Sequence, residues 1–95
     1  MIGDNPDRWI RSDNMWLRRT ALLYQLKYKK HTDPERLFHY IDLQKDEGEF
    51  FIRKAIGWAL REYAKTDPKV VRPFVKETPL SSLSAREALK HIGKE

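Results

Sequence analysis

Residues 50–63 read Phe50-Phe51-Ile52-Arg53-Lys54-Ala55-Ile56-Gly57-Trp58-Ala59-Leu60-Arg61-Glu62-Tyr63, and their periodicity decides the fold. At 100° per residue, Ile52, Ile56, Ala59 and Tyr63 share one arc, while Lys54, Trp58, Arg61 and Lys65 form a stripe roughly opposite. This is the pattern of an amphipathic helix, predicted from about Glu49 to Lys65. Sliding the chain on itself by 35 residues lays Trp16-Leu17-Arg18-Arg19 over Phe51-Ile52-Arg53-Lys54, and Leu22 and Tyr28 over Gly57 and Tyr63. Two Asp-Pro helix starts, Asp33-Pro34 and Asp67-Pro68, follow 34 apart. A period near 35 is that of an α-solenoid, in which each helix pair buries its apolar face against the next. The predicted fold is therefore all-α, with antiparallel helix pairs stacked as a short solenoid over residues 1–95 as a single domain. Two pairs plus one helix fall short of the roughly three repeats that a continuous core needs.

The remaining elements follow from capping chemistry. Asp13 or Asn14 caps a first helix predicted to reach about Lys30, and Thr32-Asp33-Pro34-Glu35 opens a second. Gly48 breaks the pattern before the third helix, and Thr66-Asp67-Pro68 starts a fourth. Pro73 predicts a kink or a short helix there, because an interior proline costs ~3 kcal/mol. Ser84-Ala85-Arg86-Glu87 has the form of a capping box for a last helix. No alternating strand pattern or hairpin turn is present.

Ninety-five residues, 40% of them apolar, suffice for one small core and exclude a two-domain enzyme. The absence of cysteine removes disulfide frameworks, thiolate zinc sites, iron–sulfur clusters and cysteine nucleophiles, and makes a reducing cytoplasm the expected compartment. No apolar run approaches the ~20 residues of a membrane span, and the N-terminus lacks a signal pattern. The three histidines, His31, His39 and His91, are too scattered to form a metal site with neighbouring acids, and neither phosphate loops nor a serine elbow occur. No metal or cofactor is expected.

The net charge of +5 is localised. Between Asn14 and His31 lie Arg18, Arg19, Lys27, Lys29 and Lys30 with no acid, which equals the whole excess. On the wheel of the first helix, Arg19 falls amid Met15, Leu22, Leu23 and Leu26, whereas Arg18 falls with Gln25 and Lys29 on a polar, solvated arc. Arg19 therefore either meets a buried carboxylate or faces an anion. Trp58, off the core arc, is either a half-buried ring between cations or a plate against a sugar-phosphate backbone. Gly57 beside it leaves room for another backbone to approach. Lys69, Arg72 and Lys76 add a third basic stripe, so that three stacked helices are expected to share one basic face.

The segments Ser12 to Arg19, Gln25 to Lys29, Phe50 to Tyr63 and Leu83 to His91 together resemble the AlkD-type DNA alkylation repair glycosylases, over roughly residues 7–93. That resemblance implies a stack of HEAT-like repeats whose concave basic surface holds duplex DNA and releases N3- and N7-alkylated purines. It places an arginine that grips DNA around the lesion at Arg19, and a tryptophan that packs on the deoxyribose at Trp58. Arg61 resembles a backbone-contacting position. Lys54, Lys65, Lys69 and Arg72 join the expected DNA-binding set as the basic stripes. The family's catalytic aspartate and companion tryptophan lie about one repeat upstream of Arg19, beyond the quoted match, and Asp13 is not that aspartate. The resemblance thus implies a C-terminal portion of the DNA-binding surface, without excision activity of its own. It also implies uncovered apolar side chains such as Trp9 and Trp16, and self-association through that N-terminal face. The alternative expectation is a helical-repeat scaffold that binds a protein rather than DNA.

Overall fold

A computed structural model describes residues 5–90 and contains six α-helices and no strand among them. α1 covers Pro6–Trp9, α2 Met15–Leu23, α3 Pro34–Gln44, α4 Phe50–Ala64, α5 Pro68–Glu77 and α6 Ser82–Ala88. Asn14, not Asp13, caps α2, its side-chain oxygen accepting the Trp16 N–H at 2.8 Å. Asp33 caps α3 as its Asp-Pro start predicts, accepting the Arg36 N–H at 3.2 Å. None of the described helices is long and apolar enough to cross a membrane. His91 lies outside the described residues.

The 35-residue repeat has a physical counterpart. The Trp16 ring of α2 meets the Phe51 ring of α4 at 5.2 Å between centroids. Towards the other ends of the same helices, Leu22 of α2 and Leu26 of the turn after it line one small space with Ala59 and Tyr63 of α4. Start meets start and end meets end, so α2 and α4 lie side by side and parallel. Behind them Phe38 of α3 stacks on Phe74 of α5, centroids 4.1 Å apart and ring planes at 8°. α4 is the central member, burying Ile52, Ala55, Ile56, Ala59, Leu60 and Tyr63. The N-terminal segment is tied on by polar bonds. Buried Tyr40 of α3 donates its hydroxyl to Asp7 of α1, and Gln44 donates to the Ile10 carbonyl at 3.1 Å. Burial and the bond to Asp7 push the Tyr40 hydroxyl well above its ordinary pKa.

The expected end of the first helix, the solvated position of Gln25 and the expected start of the last helix are overturned. α2 stops at Leu23, seven residues before the predicted Lys30, and tighter i to i+3 bonds carry the chain on, from Leu26 to Leu23 and from Tyr28 to Gln25. The cause is Gln25: it is 5% exposed and brackets the start of α3, accepting the Asp33 N–H at 2.7 Å and donating to the Asp33 carbonyl at 3.4 Å. Gln25 is therefore buried glue, and a wheel drawn through it as a solvated position does not hold. The last helix begins earlier than its predicted capping box, because Ser81 accepts the Ser84 N–H at 3.1 Å. Ser84 is buried instead and donates its hydroxyl to the Arg53 carbonyl of α4 at 2.8 Å. α5 accommodates Pro73 within a ten-residue helix, where the carbonyl deprived of its donor belongs to exposed Lys69.

The close approach expected at Gly57 is made by the chain's own α6. A Cβ at this position would stand 2.5 Å from the Glu87 Cβ and 3.0 Å from the Ser84 carbonyl oxygen. Gly57→Ala would gain ~1 kcal/mol of helix propensity in isolation. Overpacking against a backbone carbonyl and a Cβ outweighs that, at about 1–3 kcal/mol or more. Chemical denaturation should show a net loss of stability. An alanine variant more stable than the parent would contradict this account of how α6 docks.

Candidate functional site

Parallel pairing of α2 and α4 sets which side chains can act together. Arg19 and Leu23 are four apart on α2, as are Lys54 and Trp58 on α4, and the repeat makes Arg19 equivalent to Lys54 and Leu23 to Trp58. Residues four apart share a helix face. The four positions therefore form a quadrilateral on one side of the two-helix layer, with Arg19 one turn before Leu23 and Trp58 level with it. Neither Arg19 nor Trp58 is sealed in the core, since both are partly exposed. Among the described residues no carboxylate pairs with Arg19. The described residues thus favour the anion-facing alternative for Arg19.

Trp58 stands in a groove of about 260 Å³ between the tail of α2 and the last turns of α4. Its walls are Leu26, Lys27, Lys29, Glu62, Lys65 and Thr66, and Arg19 is not among them. Lys65 is held to Glu62 at 3.2 Å across one helical turn, which leaves Lys27 and Lys29 as unbalanced charges. Lys29 has a left-handed backbone, φ 52°, which L-residues adopt at a cost of about 1–2 kcal/mol. It lies on the turn that replaces the predicted end of the first helix, so the early stop of α2 is what brings Lys27 and Lys29 to Trp58. In the sequence only charge bias marks this segment; its turn geometry accompanies the inward bonds of Gln25, which no local pattern signals.

The other expected cations are arranged differently from the predicted stripes. Arg18 is the covered arginine of α2: its side chain is 14% exposed, donating to the Ser12 carbonyl at 2.8 Å and pairing with Glu47 at 3.5 Å. Lys54 and Arg61 both reach Glu87 of α6, at 3.7 and 3.3 Å, and Lys90 joins them at 3.6 Å. Lys69 and Arg72 line a separate shallow groove with Pro68 and Pro73. The single basic face expected from three stripes is therefore divided into three places. An apolar edge is also present: Trp16, Leu17, Phe50 and Phe51 are exposed where α2 and α4 begin. Trp9, by contrast, packs on the core and meets Tyr24 edge-on.

A sequence profile for the DNA alkylation repair enzymes matches residues 3–92. The chain belongs to the DNA alkylation repair enzyme family. Among solved structures, a predicted DNA alkylation repair enzyme from Enterococcus faecalis is 39% identical and superposes with a TM-score of 0.87. The match covers 95% of this chain and 44% of that protein, so the chain spans less than half the length of this family member. No curated protein sequence matches the chain. The all-helical solenoid expected from the repeat is thus the family's fold.

The Glu87 cluster yields a pH prediction. Burial disfavours the charged carboxylate, but Lys54, Lys90 and Arg61 outweigh it and hold Glu87 below the usual carboxylate range. A carboxyl with a lowered folded-state pKa stabilises the fold above its unfolded value, ~4.3, and that contribution fades as pH falls through the folded value. Glu87→Gln should therefore lower the melting temperature at neutral pH. The gap to the parent should close as pH drops below the carboxylate range. A gap that persists unchanged in acid would show that the carboxylate charge contributes nothing.

Proposed function

We propose that this chain binds duplex DNA through the α2/α4 face, recognising the family's alkylated purine sites without excising the base unaided. The observation that carries this reading is the pairing of an uncompensated Arg19 with a partly exposed Trp58 on one side of the parallel helices. The guanidinium suits a backbone phosphate, for which it offers a planar fork of donors. The indole offers an apolar plate for a deoxyribose, and Lys27, Lys29 and Lys65 surround it with positive charge.

Excision of a cationic purine needs a carboxylate that stabilises positive charge developing on the sugar and positions water. Along the Trp58 groove the acid present is Glu62, and its charge is spoken for by Lys65 at 3.2 Å. The face therefore supplies grip without a free acid. A second reading, a helical-repeat scaffold that docks a protein, draws on the exposed edge of Trp16, Leu17, Phe50 and Phe51. The same edge would carry self-association of the chain.

Two measurements on one protein preparation separate these readings. Duplex affinity should fall linearly in log–log form with salt, at ~0.9 per phosphate contact. Arg19→Ala should flatten that slope by about one contact, while Lys65→Gln should weaken all duplexes alike, whatever their sequence. Release of 7-methylguanine from alkylated duplex should stay at the uncatalysed rate. Affinity indifferent to salt, or unmoved by Arg19→Ala, would remove the DNA reading, and base release would remove the claim of grip without excision.

A further inference from the structure

Glu87 gathers three cations, two from α4 and one from the turn after α6: Arg61 on Oε1, and Lys54 and Lys90 on Oε2. The four groups are unequally covered. Glu87 keeps 14% of its side chain exposed and Arg61 24%, whereas Lys54 and Lys90 keep 47% and 57%. Negative charge thus lies beneath and positive charge outermost. Gly57 fixes that order, since only a residue without Cβ lets α6 seat the Glu87 stem against α4. Three cations against one anion leave the cluster with an excess of positive charge. Lys54 and Lys90 approach the same oxygen, at 3.7 and 3.6 Å, so their ammoniums are neighbours over one carboxylate. The Arg61 fork, engaged through Nη1, retains further N–H donors.

We propose that Lys54, Arg61 and Lys90, held together over Glu87, form a cradle for one phosphodiester group, with Glu87 as a positioning residue that does not touch it. The proposal rests on the DNA reading above and adds Lys90 and Glu87 to it. Around α4, Lys54 and Arg61 lie between the Gly57 side, covered by α6, and the Trp58 side, open to the groove. A strand laid over the indole would then meet cations on both flanks: this cradle on one, and Lys27, Lys29 and Lys65 on the other. Fixing the cations in advance removes part of the ordering cost that flexible lysines otherwise incur on binding.

Charge counting and this geometry make opposite predictions for Glu87→Gln. By count alone, removing a negative charge strengthens binding to any polyanion. By geometry, three like charges without their shared counter-ion spread apart and the cradle is lost. The test uses the whole chain and two probes. Inorganic phosphate, added at constant ionic strength, should shift the Arg61 Nε–H NMR resonance saturably in the parent and not in Glu87→Gln or Lys90→Gln. In duplex titrations Lys90→Gln should flatten the log–log salt slope by ~0.9, and Glu87→Gln should weaken affinity. Lys90 is exposed, so its variant keeps the test independent of folding defects at Glu87. An Arg61 resonance indifferent to phosphate, or a Glu87→Gln protein that grips duplex more tightly, would overturn the cradle. A phosphate response in a protein that ignores duplex DNA would instead sustain the cradle and remove the DNA reading.

Discussion

Everything at the candidate site depends on α2 and α4 lying parallel at an offset of 35 residues. That register puts Trp16 against Phe51 at one end and lets Leu22 and Ala59 line one small space further along, and by the same offset Arg19 takes the place of Lys54, one turn before Trp58. α4 can hold this position because it is apolar on more than one side: α2 packs along it, Phe38 and Phe74 stack behind it, and α6 closes over Gly57. A side chain at position 57 would push α6 away, and with it the carboxylate that gathers Lys54, Arg61 and Lys90.

The sequence makes the repeat legible because solenoid packing reuses the same surface in each unit, so apolar spacing recurs with the period of the fold. For the same reason Trp58 stands out as off the core arc and proves partly exposed. What could not be read were the places where a polar group turns inward. Gln25 has the composition of a surface residue, yet its amide satisfies the Asp33 backbone just past the end of α2, and Lys29 in the turn between them takes a left-handed backbone. Ser84 looks like a cap and is a buried donor to α4. Arg18, which the wheel assigns to solvent, is tied down by Ser12 and Glu47, and its neighbour Arg19 is partly exposed. In each case the decisive partner lies on another element, which a single-helix projection cannot contain.

The electrostatics also differ from what a charge count conveys. A net charge of +5 and three basic stripes suggest one broad positive face. The structure instead divides the cations by their counter-ions: Arg18 with Glu47, Lys65 with Glu62, and three more on Glu87, leaving Lys27 and Lys29 uncompensated beside Trp58, and Arg19 uncompensated on α2, among the described residues. The solvent-facing pair among them, Lys65 with Glu62, adds little stability, ~0–1 kcal/mol. The larger consequence of these pairings is to decide which cations a phosphate meets free and which it meets already held in place.

The shared face is tested most directly by photo-cross-linking. A benzophenone side chain is placed at position 19 in one protein and at position 58 in another, each is bound to the same duplex bearing one defined lesion, and the cross-linked nucleotides are mapped. A common face predicts that both positions mark the same short stretch of strand beside the lesion. Cross-links from the two positions to distant stretches, or cross-links unrelated to the lesion, would contradict it.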